Sequence, residues 1–106
     1  MLIELLYFAE CPNYKSAQEN LLAALDQLHI TSNVNRIEVH SNEEAATKRF
    51  LGSPSIRIDD RDIEYPDETG LQYSMRCRLY KSIEGVSGTP PKQMIISAIS
   101  KAMKNA

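Results

Sequence analysis

The spacing of hydrophobic positions changes along the chain, and each change marks an element. Leu2-Ile3-Glu4-Leu5-Leu6-Tyr7-Phe8 is nearly all apolar, as in a strand buried on both faces. Between Tyr14 and Leu28 the apolar residues Tyr14, Ala17, Leu21, Leu25 and Leu28 recur at helical spacing, with Ala24 beside them. Lys15, Gln18, Glu19 and Asp26 take the opposite face, so an amphipathic helix of about four turns is predicted. Asn33 to Val39 reads as a second strand, less apolar and so nearer a sheet edge. Ser41 and Glu44 form a capping box that opens a helix through Ala45, Ala46, Phe50 and Leu51. Gly52 is placed to close that helix in a left-handed conformation.

The second half alternates instead. Ser55-Ile56-Arg57-Ile58-Asp59 has strand period, and Asp59-Asp60-Arg61 turns it into Asp62-Ile63-Glu64, a hairpin. Residues 65–74, with Pro66 and Gly70, read as a loop. Met75, Cys77 and Leu79 then fall on one side of a period-two pattern, and Arg76, Arg78 and Tyr80 on the other. This is a short strand or an extended segment, with the apolar side facing inward. Gly85 and Gly88 mark another loop. Thr89-Pro90-Pro91 supplies a cap and prolines suited to a first turn. Ile95, Ile96, Ala98, Ile99, Ala102 and Met103 then give the apolar face of a last helix. The predicted order is β-α-β-α-β-β-α, an α/β fold with a central mixed sheet and flanking helices. A β-α-β start brings a right-handed crossover and parallel pairing, and the hairpin adds an antiparallel edge.

Composition narrows the class. The 106 residues are room for one domain, residues 1–106, that buries roughly two-thirds of the surface its unfolded chain exposes. It needs no metal or disulfide to fold. The net charge of -2, with both signs interspersed, provides no basic stripe for nucleic acid. The longest apolar run is far short of a membrane span. The N-terminal segment has no basic region and no small-residue cleavage site, so the cytoplasm is the expected compartment. In a reducing compartment two cysteines are not expected to form a standing disulfide, which leaves packing or chemistry.

Cys11 is the first candidate for chemistry. It sits in Ala9-Glu10-Cys11-Pro12-Asn13, between the first strand and the first helix. A thiolate at a helix start is favoured by unpaired N–H groups and the positive end of the dipole. Thiols in such settings are acidic and reactive. The competing reading is an inert cysteine whose ionisation Glu10 opposes. Cys77 has two readings as well: a small hydrophobe packed between Met75 and Leu79, or a resolving thiol for Cys11. His29 and His40 have no partner at ligand spacing, and Gly85 and Gly88 have no phosphate-loop lysine, so no metal and no cofactor are expected.

The blocks Phe8-Ala9-Glu10-Cys11-Pro12-Asn13-Tyr14, Arg49-Phe50-Leu51-Gly52-Ser53-Pro54-Ser55-Ile56-Arg57 and Cys77-Arg78-Leu79-Tyr80 resemble small bacterial thioredoxin-like proteins, some of them labelled alkylmercury lyase-like. The resemblance spans nearly the whole chain. It implies a thioredoxin-like fold and a thiol or redox setting. It also implies that Pro54 is cis and faces Cys11, with the backbone of Ser53 open to a bound peptide or glutathione strand. Pro12 and Tyr14 would complete that site. Thioredoxins have Cys-x-x-Cys, whereas the second position here is Tyr14, which excludes a dithiol at this turn. Asp60 stands where relatives favour glycine, which is expected to loosen the hairpin. The expected function is monothiol exchange or redox sensing, with glutathione or a protein thiol or disulfide as partner. A binding module without catalysis is the alternative, and soft-metal (mercury) handling by Cys11 and Cys77 ranks below both.

Overall fold

A computed structural model describes residues 1–67 and 71–104. Gly70, part of the expected 65–74 loop, lies outside the described residues. The element order is β1 (Ile3–Tyr7), α1 (Tyr14–Gln27), β2 (Val34–Glu38), α2 (Asn42–Thr47), β3 (Ser55–Ile58), β4 (Arg61–Asp62), β5 (Tyr80–Ser82), β6 (Gly85–Ser87) and α3 (Lys92–Lys104). The chain is thus a mixed α/β protein with a central mixed sheet in the order β2-β1-β3-β4. β1 and β2 run parallel, from Ile3 opposite Val34 to Tyr7 opposite Glu38. β3 lies antiparallel to β1, with Ile3 opposite Ile58 and Leu6 opposite Ser55.

The near-continuous apolar run of β1 is explained by its central position. Its alternate residues feed two separate cores. Ile3 and Leu5 join Ile56 and Ile58 of β3 on one face, under Ala17, Leu21, Ala24 and Leu25 of α1 and Ile95, Ile96 and Ile99 of α3. Leu6 points the other way and packs with Val39, Ala45 and Phe50, and Phe8, Ile37 and Met75 close this second cluster. Away from Leu6 that second face turns polar. Glu4 lies opposite Arg57, and Arg57 lies opposite Asp62. Arg57 Nη1 also donates to the carbonyl of Lys48, 2.7 Å away, and so satisfies the open end of α2.

Two boundaries differ from the sequence expectation. Ser41 Oγ accepts from Glu44 N–H, one half of the capping box, while the Glu44 carboxylate accepts from His40 N–H, one residue before the cap. The helix then ends at Thr47, five residues before Gly52. Arg49 takes the left-handed position, with φ 56°, and Phe50 N–H reaches back to Ala45 O at 2.8 Å. This six-to-one closure swings Phe50 onto Ala45 in the core. The same device ends α1, with His29 left-handed and Ile30 N–H bonded to Leu25 O. The β3–β4 hairpin is also tighter than expected. Asp59 and Asp60 both have positive φ, 50° and 70°, and pairing resumes at once between Ile58 and Arg61. A primed two-residue turn needs positive φ at both positions, and Asp tolerates it.

The region after residue 74 departs further. The sequence marks Gly85 and Gly88 as a loop. Instead Tyr80–Ser82 and Gly85–Ser87 pair as an antiparallel hairpin, with Gly85 at φ 119°. α3 starts at Lys92, after the prolines, and Pro91 O accepts from Ile95 N–H. No helix among the described residues is long and apolar enough to cross a membrane.

Candidate functional site

β1 ends at Tyr7, and the chain turns back at once. Cys11 N–H donates to Phe8 O at 3.0 Å, so residues 8–11 form one tight turn. The first helical residue is Tyr14 and Asn13 is the N-cap, without a side-chain cap bond. Pro12, expected at the first helical position, therefore precedes the cap and is exposed. Cys11 stands two residues ahead of the cap and is buried, with 4% of its surface accessible. Tyr14 does not stand open at the helix start. Its ring stacks on Tyr7, 4.5 Å between centroids and 17° from parallel. Such a pair is worth about 0.5–1.5 kcal/mol beyond its buried area, and it braces the end of β1 against the start of α1.

Ser53 approaches this turn from the other side. The Ser53–Pro54 bond is cis, as the resemblance implied. Ser53 is fully buried, and its hydroxyl accepts a long hydrogen bond from Phe8 N–H at 3.4 Å. The backbone of Ser53 is not open to a partner strand, contrary to expectation. Its N–H donates to Arg76 O at 2.8 Å, and its carbonyl accepts from Arg78 N–H at 3.0 Å. These two bonds make a parallel bridge that sets Ser53 opposite Cys77. The chain's own residues 76–78 thus occupy the edge that an incoming strand would use. Gly52 allows the close approach: with φ +124°, a Cβ there would meet Arg78 Cβ at 3.1 Å and Arg76 O at 3.2 Å. Its glycine serves this contact rather than the end of α2.

Met75 is partly buried and Arg76 exposed, as expected, but from Cys77 to Tyr80 the two faces are reversed. Cys77, expected inside as a small hydrophobe, is exposed, as is Leu79 at 62%. Arg78 and Tyr80 are buried instead. The reason is the polar half of the sheet. Arg78 pairs with Asp62 through two bonds of 2.7 and 2.6 Å, reaches Glu64 at 3.3 Å and donates to Ser55 Oγ at 2.9 Å. Its guanidinium lies over the Tyr80 ring at 4.4 Å. Asp62 also accepts the N–H groups of Glu64 and Tyr65. Burial opposes the charge on Arg78, but the Asp62 hydrogen bonds, with attraction from Tyr80, Asp62 and Glu64, outweigh it and raise its pKa. The sequence carries the charges, Asp62 and Glu64 on one side and Arg78 on the other, but not their pairing.

Tyr80 hydrogen-bonds through its hydroxyl to the carbonyl of Pro54, so the charge cluster is tied directly to the Ser53–Pro54 corner. Burial pushes the Tyr80 phenol above its ordinary value; Asp62 and Glu64 add to this, and Arg78 opposes it. The folded pKa exceeds the unfolded one. Tyr80's contribution to stability is therefore complete below about pH 10 and is lost as pH rises through the folded value. Of the five tyrosines, one is expected to ionise only as the protein unfolds. Ultraviolet titration followed with circular dichroism checks this, and full ionisation of all five in the folded protein would contradict it.

A cleft of about 660 Å³ lies elsewhere, between the β3–β4 hairpin and α3, lined by Ile63, Met94, Ala98 and Lys101 among others. Neither cysteine lines it. The chemistry-bearing convergence is at Ser53. Residues 12–99 match the model of a family described as a domain of unknown function, DUF2703. No curated protein and no solved structure matches the chain.

Proposed function

We propose, for a chain that belongs to the DUF2703 family, a role in thiol–disulfide exchange through Cys11 in a thioredoxin-like frame. One observation carries this reading. Ser53 is bonded to Phe8 of the Cys11 turn on one side and paired with Cys77 on the other, so a single buried residue joins the surroundings of both cysteines. The frame around it supports the reading: a strand, a Cys-Pro turn, a helix, and then a proline leading into an antiparallel third strand. With Tyr14 stacked where Cys-x-x-Cys proteins hold their second thiol, the cycle is completed by Cys77 or by an outside thiol such as glutathione.

In the exchange, a protein thiolate attacks one sulfur of a disulfide, the old S–S bond breaks and the other sulfur leaves as a thiolate. The burial of Cys11 favours a second reading, a binding module without turnover. Incubation of the reduced protein with glutathione disulfide, followed by peptide mapping, separates the two. Exchange predicts that the Cys11 sulfur is consumed, as a mixed or an internal disulfide. A Cys11 thiol that stays free in the folded protein throughout would leave only the binding module.

A further inference from the structure

We infer that Cys77 is the thiol that meets the incoming disulfide, and that Cys11 is the resolving thiol that closes an internal Cys11–Cys77 disulfide behind it. The inference rests on the exchange reading above and assigns the order of events within it. The order follows from access. Attack on a disulfide needs a sulfur that the partner can approach in line. Cys77 is exposed, whereas Cys11, the last residue of the 8–11 turn, is 4% accessible.

The register explains why Cys77 faces the right way. Residues directly opposite in a β-bridge carry their side chains on one side of it, with Cα atoms about 4.8 Å apart. Cys77 is opposite Ser53, and the Ser53 hydroxyl meets Phe8 N–H, at the base of the Cys11 turn. Arg76 and Arg78 point to the other side. The Arg78 guanidinium is held by Asp62 and Ser55, and Arg76 reaches the carbonyls of Leu51 and Gln72. The pair of hydrogen bonds therefore holds Cys77 on the side of the Ser53 hydroxyl, which meets Phe8 of the Cys11 turn. Met75 packs into the same cluster as Phe8, which fixes the segment from its other end. The chain's own strand stands where a substrate strand would pair, and it carries its own cysteine there.

The Cys77 thiolate attacks a small-molecule disulfide, whose S–S bond breaks; one half leaves as a thiolate and the other is bonded to Cys77. Cys11 gives its proton to solvent and attacks the Cys77 sulfur, and the second half leaves as a thiolate. Two protein thiols are oxidised by two electrons, and one external disulfide is reduced to two thiols.

Glutathione disulfide is the probe, with acid-quenched time points read by mass spectrometry and peptide mapping. In the wild-type protein the first adduct is expected on Cys77, and it decays as a species lighter by two hydrogens appears. Cys11→Ser is expected to trap glutathione on Cys77. Cys77→Ser is expected to react at least about tenfold more slowly. Circular dichroism checks that both variants fold. Should either fail, iodoacetamide labelling of the native wild type provides the order: Cys77 is expected about tenfold ahead of Cys11. A first adduct on Cys11, or an adduct on Cys77 that never closes, overturns the inference. In the first case Cys11 is still consumed and the exchange reading stands. If Cys11 is never consumed, that reading falls too.

Discussion

Replacing Arg78 by methionine is expected to lower the unfolding free energy by about 3–5 kcal/mol, the largest stability loss among the polar residues around the site. The two Asp62 bonds are buried and the Glu64 contact is partly so, which leaves little access for water to replace the guanidinium at Asp62. Removing it leaves the Asp62 carboxylate with only the N–H groups of Glu64 and Tyr65. An uncompensated buried charge costs more than the pair itself contributed. Arg78→Lys is expected to cost less. The charge survives, but the planar fork that matches both Asp62 oxygens does not, nor does the flat contact with Tyr80. Urea unfolding with an unchanged slope measures both. A loss below about 1 kcal/mol for Arg78→Met would show that the cluster is solvated rather than buried.

The same cluster shows what could and could not be read from the sequence. The first half of the fold was legible because its signals are local. Helical spacing in α1, the Ser41–Glu44 capping box and the apolar run of β1 each specify their element without distant help. Residues 77–80 were legible in period but not in phase. A lone alternating segment shows that two faces exist, and hydrophobicity then assigns Cys77 and Leu79 to the interior. The tertiary partners decide otherwise. Two carboxylates on and just after β4 make burial of Arg78 favourable, and Tyr80 follows on the same side. The β5–β6 hairpin was missed because its strands, three residues each, are mostly exposed and carry no apolar pattern. For the candidate site, the positions of Cys11 and Pro54 were readable from the turn residues. The bridge between Ser53 and Cys77 was not, since it joins segments 24 residues apart through backbone groups alone.

That bridge makes Gly52→Ala the second substitution with a large expected effect. At φ +124° an alanine is strained, and strain of this kind costs about 1–3 kcal/mol. The added Cβ also meets Arg78 Cβ at 3.1 Å, Arg76 O at 3.2 Å and Arg76 Cγ at 3.3 Å. Arg76 O is the acceptor for Ser53 N–H, so relief of the crowding moves residues 76–78 off the edge of Ser53. Two readouts should therefore change together. The protein loses stability, and the Ser53 amide exchanges with solvent faster than in the wild type, because its acceptor has withdrawn. Closure of the proposed Cys11–Cys77 disulfide should slow as well, since Cys77 is no longer held opposite Ser53. Hydrogen exchange read at Ser53 separates this chain of events from a general loss of stability. Amides at the centre of β1, such as Leu5, would weaken only with the global unfolding equilibrium, whereas Ser53 should weaken by more. Equal changes at Ser53 and Leu5 would mean that Gly52 serves the fold as a whole and not the seating of Cys77.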